Sequence, residues 1–153
     1  MPPAGETESE RIARNWDEIL QELRVIQTGT QVLLGFLLTI PFQAGFADID
    51  SRQIGVYLTL VVVAALATIF ALAPVALHRA LFRRDAKPEL VRAGHLLMRL
   101  ALVAISLALS GTVYLIFAVV IDGVAALIAG GGALALTVAL WAVLPSFLRG
   151  PPE

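Results

Sequence analysis

Apolar residues fill four long stretches of this chain, and very little charge interrupts them. The stretches are residues 25–46, 54–77, 96–121 and 124–148. A helix that rises about 1.5 Å per residue needs roughly 20 apolar residues to cross a hydrocarbon core of about 30 Å. Each stretch is long enough, so the pattern predicts an all-α membrane protein whose four transmembrane helices, the first to fourth spans, pack as a bundle.

The segment before the first span, residues 10–24, has a different pattern. Apolar side chains recur at helical spacing and charged ones occupy the other side, which predicts an amphipathic helix. We expect this helix to lie in the membrane interface, with Trp16 at headgroup depth and its N–H exposed to water; the alternative is a docking helix for a cytosolic partner. Residues 1–9 and 149–153 are polar tails that we expect to be disordered. The apolar residues of the segment are Ile12, Trp16, Ile19, Leu20 and Leu23.

Polar residues of the first span share one face when positions are counted at 100° per residue from Arg24. An amide that faces lipid has no hydrogen-bond partner, at a cost of a few kcal/mol, so Gln27 and Gln31 are expected to face protein or water. The opposite face carries Leu33 and Leu37. The residues of this polar stripe are Arg24, Gln27, Thr28, Gln31, Gly35 and Thr39.

The third span carries a second polar stripe, and we predict that both stripes face the bundle interior. One interpretation is close helix packing, with hydrogen bonds across the contact worth about 0.6–2 kcal/mol each. The other is a half-channel, open to the cytoplasm, for a small ion or solute. With Glu22 at the inner end of the first stripe, the candidate functional residues are Glu22, Arg24, Gln27, Thr28, Gln31, His95, Arg99, Ser106 and Ser110.

Proline and glycine mark further local features. Pro41 and Pro74 lie near span ends and predict kinks or helix ends. The pair Asp122-Gly123 predicts a tight turn that makes the third and fourth spans a closely packed hairpin. The triple glycine at residues 130–132 indicates close helix packing, or alternatively an unwound helix whose carbonyls bind a cation.

Basic residues predict the orientation of the chain. Nine of the 11 lie before the first span, between the second and third spans, or after the fourth; Arg99 lies just inside the third span at the same end, and Arg52 is the exception. The positive-inside rule places these segments in the cytoplasm. We therefore expect a multi-pass protein of the cell inner (plasma) membrane with both termini cytoplasmic, and with Asp48, Asp50 and Asp122 in the external turns.

Composition narrows the possible chemistry. The chain is 58% hydrophobic and 15% charged, and it has no cysteine, which excludes disulfides and Cys-ligated zinc. No Ser/His, paired-Asp or HExxH arrangement is present, so we predict a non-enzymatic protein without cofactor or metal, whose surroundings are a lipid bilayer and not nucleic acid. The first functional hypothesis is association with itself or with a membrane-protein complex. The second is a small cation/proton transporter or channel subunit that uses the two stripes.

The run from Arg14 to Phe42, RNWDEILQELRVIQTGTQVLLGFLLTIPF, resembles the signature of an uncharacterised family of small actinobacterial membrane proteins with four spans. The rest of the chain is similar to that family in length and hydropathy. Some members carry an automatic label of sodium:proton antiporter. The resemblance implies a four-span architecture and no established active site. Exchange needs a group at mid-membrane that binds either ion, and the acids of this sequence lie at span boundaries or outside the spans.

Overall fold

The computed structural model of this protein describes residues 7–81 and 87–143. Within these ranges the regular structure is helical and contains no strand. Four helices are long and apolar enough to cross a membrane, so the predicted all-α, four-span architecture is confirmed. The helices are α1 (Glu8–Thr39), two short 3-10 helices (Ile40–Phe42 and Ala44–Asp48), α2 (Ser51–Leu81), α3 (Lys87–Val120) and α4 (Gly123–Val138), which continues as a π-helical turn (Ala139–Val143).

A capping box begins α1 two residues before the predicted start of the amphipathic helix. The Glu10 N–H donates to Thr7 Oγ1 at 3.4 Å, and the Thr7 N–H donates to Glu10 Oε2 at 2.8 Å. This exchange satisfies two N–H groups that lack partners inside the helix. From there α1 runs without a break to Thr39. Residues 10–24 and residues 25–39 of the first span therefore form one helix, and the interfacial position of residues 10–24 stays a prediction.

Pro41 ends α1 earlier than the span prediction of residue 46. The α-helix stops at Thr39, and Pro41 lies at the start of the next short 3-10 helix. Proline has no N–H to donate and disfavours helical backbone in the residue before it, so the predicted helix end at Pro41 is confirmed. Pro74, in contrast, lies inside α2, which continues to Leu81.

Aspartate side chains cap the N-termini of α2 and α4. At the start of α2, the Gln53 N–H donates to Asp50 Oδ1 at 2.8 Å and the Asp50 N–H donates to Gln53 Oε1 at 3.0 Å. At the start of α4, the Ala125 N–H donates to Asp122 Oδ1 at 2.8 Å. Because α3 ends at Val120 and α4 begins at Gly123, the predicted tight turn at Asp122-Gly123 is confirmed.

Two compact units divide the chain. Unit 1 comprises Met1–Gly35 and Ala64–Ala104, and unit 2 comprises Phe36–Val63 and Ile105–Glu153. The helices α1, α2 and α3 contribute to both units, whereas α4 belongs to unit 2. Predicted features that fall outside the described residues are residues 1–6 of the first tail, residues 144–148 of the fourth span and the tail 149–153.

Unit 1 is built around the apolar side of the first part of α1. Its core contains Ile19 and Leu23 of α1, Ala71 of α2 and Ala101 of α3. Trp16 is only 7% exposed, and a Cβ placed on Gly94 would lie 3.1 Å from its ring atom Cζ3. The absence of a side chain at Gly94 thus lets the indole pack directly on α3. The Trp16 Nε1 is itself buried, so the prediction that the Trp16 N–H is exposed to water is wrong.

Unit 2 holds α4 against α3 at a single glycine. A Cβ on Gly130 would lie 2.7 Å from Tyr114 Cβ and 3.1 Å from the Ser110 carbonyl oxygen. Nothing lies within 4 Å of the same position on Gly131 or Gly132. Since α4 is helical through all three glycines, the predicted close packing is confirmed at Gly130, and the unwound alternative is wrong.

Candidate functional site

The polar stripe predicted on the first span is largely exposed. Glu22, Arg24, Thr28 and Gln31 of α1 are exposed in the structure, and Gln27 is half-buried. The prediction that this stripe faces the bundle interior is therefore wrong within the described chain.

The core of the protein takes the other side of α1. Leu23 and Thr30 are almost fully buried in unit 1, and Leu37, which the sequence count placed opposite the stripe, is 1% exposed in unit 2. Thr30 tolerates this burial because its hydroxyl donates to the Gln27 carbonyl at 3.0 Å, so no polar group is left without a partner. Apolar contacts and a threonine bonded to its own helix, and not the two amides, thus face inward.

Two hydroxyl groups on the exposed face of α1 are satisfied within the helix itself. The Thr28 hydroxyl donates to the Arg24 carbonyl at 3.0 Å, and the Thr39 hydroxyl donates to the Phe36 carbonyl at 2.7 Å. The Gln31 carboxamide, by comparison, makes no hydrogen bond to any residue that the structure describes. The Gln31 carboxamide is therefore an exposed hydrogen-bonding group without a partner among the described residues.

The stripe on α3 divides between the two units. His95 and Arg99 lie in unit 1 and are exposed. Ser106 and Ser110 lie in unit 2, where they are 8% and 5% exposed. The predicted interior position is confirmed for the two serines and is wrong for His95 and Arg99.

These positions limit what the stripe residues do within one chain. In unit 1 the exposed stripe residues of α1 and α3 enclose no pathway, because a half-channel needs polar side chains that face inward. In unit 2 the Ser110 Oγ is buried without a hydrogen-bond partner among the described residues, directly beside the backbone that packs on Gly130. Ser110 thus acts as a small residue at a close helix contact.

Unit 2 contains two concave features that the sequence patterns did not predict. The larger is an apolar cavity of about 270 Å³ beside the two 3-10 helices. Tyr57 forms part of its wall, with its hydroxyl donating to the Leu37 carbonyl at 3.1 Å and its ring 5.4 Å from the Phe46 ring, edge to face. The early end of α1 at Pro41, which lets the chain fold back over α2, is the sequence signal for this wall.

The smaller feature is a polar depression of about 170 Å³ near the starts of α2 and α4. Gln53 is one of its lining residues, and the Gln53 Nε2 donates to the Ala118 carbonyl at 3.0 Å, which ties α2 to α3. Its other lining residues include Asp50, Arg52 and Tyr114. Because the Gln53 amide is already bonded at both ends, its part in this depression is structural.

Within the described ranges, no three His, Cys, Asp or Glu side chains are placed to hold a metal ion together. No curated protein and no solved structure matches the chain. One family does match: the family of unknown function DUF6328 covers residues 5–145. This protein, with its four helices long and apolar enough to cross a membrane, therefore belongs to the family of unknown function DUF6328.

Proposed function

We propose that this protein is a multi-pass protein of the plasma membrane that acts without catalysis, through association of its helices with itself or with a larger membrane complex. The observation that carries the proposal is the exposed polar face of α1, a helix apolar enough to span. Lipid supplies no hydrogen bonds, so an amide on such a face needs a partner from outside the chain.

The neighbouring exposed side chains of α1 make no comparable demand. Val25 and Phe36 are 75% and 70% exposed, and both are side chains that lipid covers at no cost. Gln31 differs because its carboxamide is left without a partner. Association through this face therefore removes a cost that lipid cannot remove.

A mass measurement tests the association. Purified in mild detergent, the protein is expected to give a particle heavier than the 16.3 kDa monomer, or to bring down a defined membrane partner. The double substitution Gln27→Leu with Gln31→Leu is expected to reduce the complex. The matched control, Leu127→Ala with Ile128→Ala on the exposed face of α4, is expected to leave it intact. A monomeric wild-type protein without partner would contradict the proposal.

The orientation belongs to the same proposal and rests on the 10 to 1 distribution of basic residues. A reporter that is active only in the cytoplasm is expected to work when fused after Glu153 or inserted near Lys87, and to fail when inserted near Asp50. Activity near Asp50 with silence near Lys87 would reverse the topology.

The alternative function is a small cation/proton transporter or channel subunit that uses the polar stripes of α1 and α3. It requires the exposed stripe to line a wet pathway that forms only in an assembly, because the stripe is exposed in the single chain. Ion flux in proteoliposomes separates the two functions, since association alone moves no ions.

A further inference from the structure

We infer that the partner on α1 is a second copy of this chain, which packs its own α1 alongside, in parallel, with the two Gln31 side chains in contact. The inference rests on the proposed function, in which the exposed face of α1 is an association surface. It adds the identity of the partner and the residues at the centre of the contact.

The chemistry of Gln31 is self-complementary. A carboxamide carries two N–H donors and a carbonyl acceptor, so two of them bond to each other without any other group. A two-fold axis brings a residue opposite its own copy, and identical chains inserted in the same orientation hold Gln31 at the same depth. The pair therefore satisfies both amides in a single contact.

The residues around Gln31 have the spacing of a helix seam. Thr28, Gln31 and Gly35 follow one another at intervals of three and four residues, and all three are exposed. This alternation keeps one line of side chains facing a partner helix along a left-handed crossing. A second α1 thus meets a continuous line and not an isolated glutamine.

Gly35 and Thr28 also allow the two helices to approach closely. Nothing in the chain lies within 4 Å of a Cβ placed on Gly35, so the backbone surface there is open. The Thr28 hydroxyl is bonded to the Arg24 carbonyl, which leaves its methyl group for packing. Arg24 lies at the border of the apolar stretch, where its long side chain can reach water and avoid its counterpart.

The exposed apolar face of α4 gives no such indication of a partner. On α4 the exposed side chains are apolar, and lipid covers them as well as protein does. The exposed α1 face between Thr28 and Leu38 contains no charge that would select an oppositely charged protein. Neutral self-matching at Gln31 favours a second copy over a different protein.

The absence of cysteine makes the contact directly testable by cross-linking. Gln31→Cys, oxidised in native membranes, is expected to give a disulfide-linked dimer on a non-reducing gel, and Gly35→Cys is expected to do the same. Two controls are equally exposed but lie off the seam: Phe36→Cys on the flank of α1 and Ile128→Cys on α4, at 70% and 71% exposure. Both controls are expected to remain mostly monomeric.

The outcomes separate this inference from the proposed function. Cross-linking through Phe36→Cys or Ile128→Cys but not Gln31→Cys overturns the contact centred on Gln31 and leaves association standing. A heavy particle that contains a different protein, without a Gln31→Cys dimer, overturns the second copy but supports association. A monomer in detergent with no cross-link at any position overturns both.

A substitution series tests the amide itself. Gln31→Leu is expected to weaken the dimer about tenfold, and Gln31→Asn, which keeps a carboxamide, is expected to recover part of that loss. Because Gln31 is exposed, both variants are expected to keep the thermal stability of the monomer in detergent. Dimerisation of Gln31→Leu at wild-type strength would show that the amide pair is wrong.

Discussion

The polar stripe of α1 and the two serines of the α3 stripe look alike in the sequence and lie in opposite surroundings in the structure. Gln31 of α1 is exposed, whereas Ser110 of α3 is 5% exposed. The difference follows from size: a serine fits between two helices in close contact, while a glutamine holds them apart unless its amide has a partner there. Helical spacing thus identifies a polar face without indicating whether the same chain covers it.

The three consecutive glycines of α4 also differ in whether they face another helix. A Cβ on Gly130 would meet the backbone of α3, whereas a Cβ on Gly131 or Gly132 would meet nothing within 4 Å. Gly94 makes a similar close approach to Trp16. At both positions the glycine lies on the side of its helix that is internal. Substitutions that add volume at a buried position and at an exposed one therefore test which face of each helix is internal.

The largest effect is expected from Gly130→Leu. The new Cβ would lie 2.7 Å from Tyr114 Cβ and 3.1 Å from the Ser110 carbonyl oxygen, and backbone atoms cannot move aside as a flexible side chain can. Overpacking of this kind lowers the free energy of unfolding by about 3 kcal/mol. A lower midpoint of thermal unfolding in detergent is the measurement that shows it. Gly131→Leu is the matched control and is expected to be neutral or slightly stabilising. Equal unfolding midpoints for Gly130→Leu and Gly131→Leu would contradict the contact between Gly130 and α3.

A somewhat smaller effect is expected from Ser110→Leu. Ser110 is buried next to the backbone that meets Gly130, so leucine has no free space there and costs about 2 kcal/mol. Gln31→Leu adds a similar apolar side chain on the exposed face of α1 and is expected to leave the midpoint of the monomer unchanged. If both substitutions destabilise the monomer equally, the contrast between the two stripes fails.

Tyr57→Phe tests a buried polar group that has a partner. Its hydroxyl donates to the Leu37 carbonyl at 3.1 Å, and the loss of such a bond costs about 1 kcal/mol. Tyr114→Phe is the control, because the Tyr114 hydroxyl makes no hydrogen bond within the described ranges. Identical melting curves for the two variants would argue against the Tyr57 bond.

The smallest expected effect is none at all: purified protein in liposomes is expected to show no sodium-dependent proton flux. Coupled exchange needs a group that changes protonation at mid-membrane, and the acids of this chain lie at helix ends or outside the apolar stretches. Measured flux that Glu22→Gln abolishes would mean that the α1 stripe is a wet pathway, and the comparison with α3 would then need revision.

Local features of the architecture were predictable from the sequence. The four helices follow from apolar length, the end of α1 follows from Pro41, and the turn before α4 follows from Asp122-Gly123. The capping pairs Thr7/Glu10 and Asp50/Gln53 carry an equally local signal. These features depend on neighbours within a few residues, so the order of residues contains them.

Only the tertiary structure decided which face of each helix is internal. In a membrane-spanning helix lipid and protein both accept apolar side chains, so hydrophobicity alone distinguishes the two sides poorly. On α1 the choice depended on where Gly94 and Ala101 of α3 and Ala71 of α2 leave room for Trp16 and Leu23. Those residues are distant in sequence and become neighbours only when the helices pack, which is why the exposed position of Gln31 could not be predicted from its helix alone.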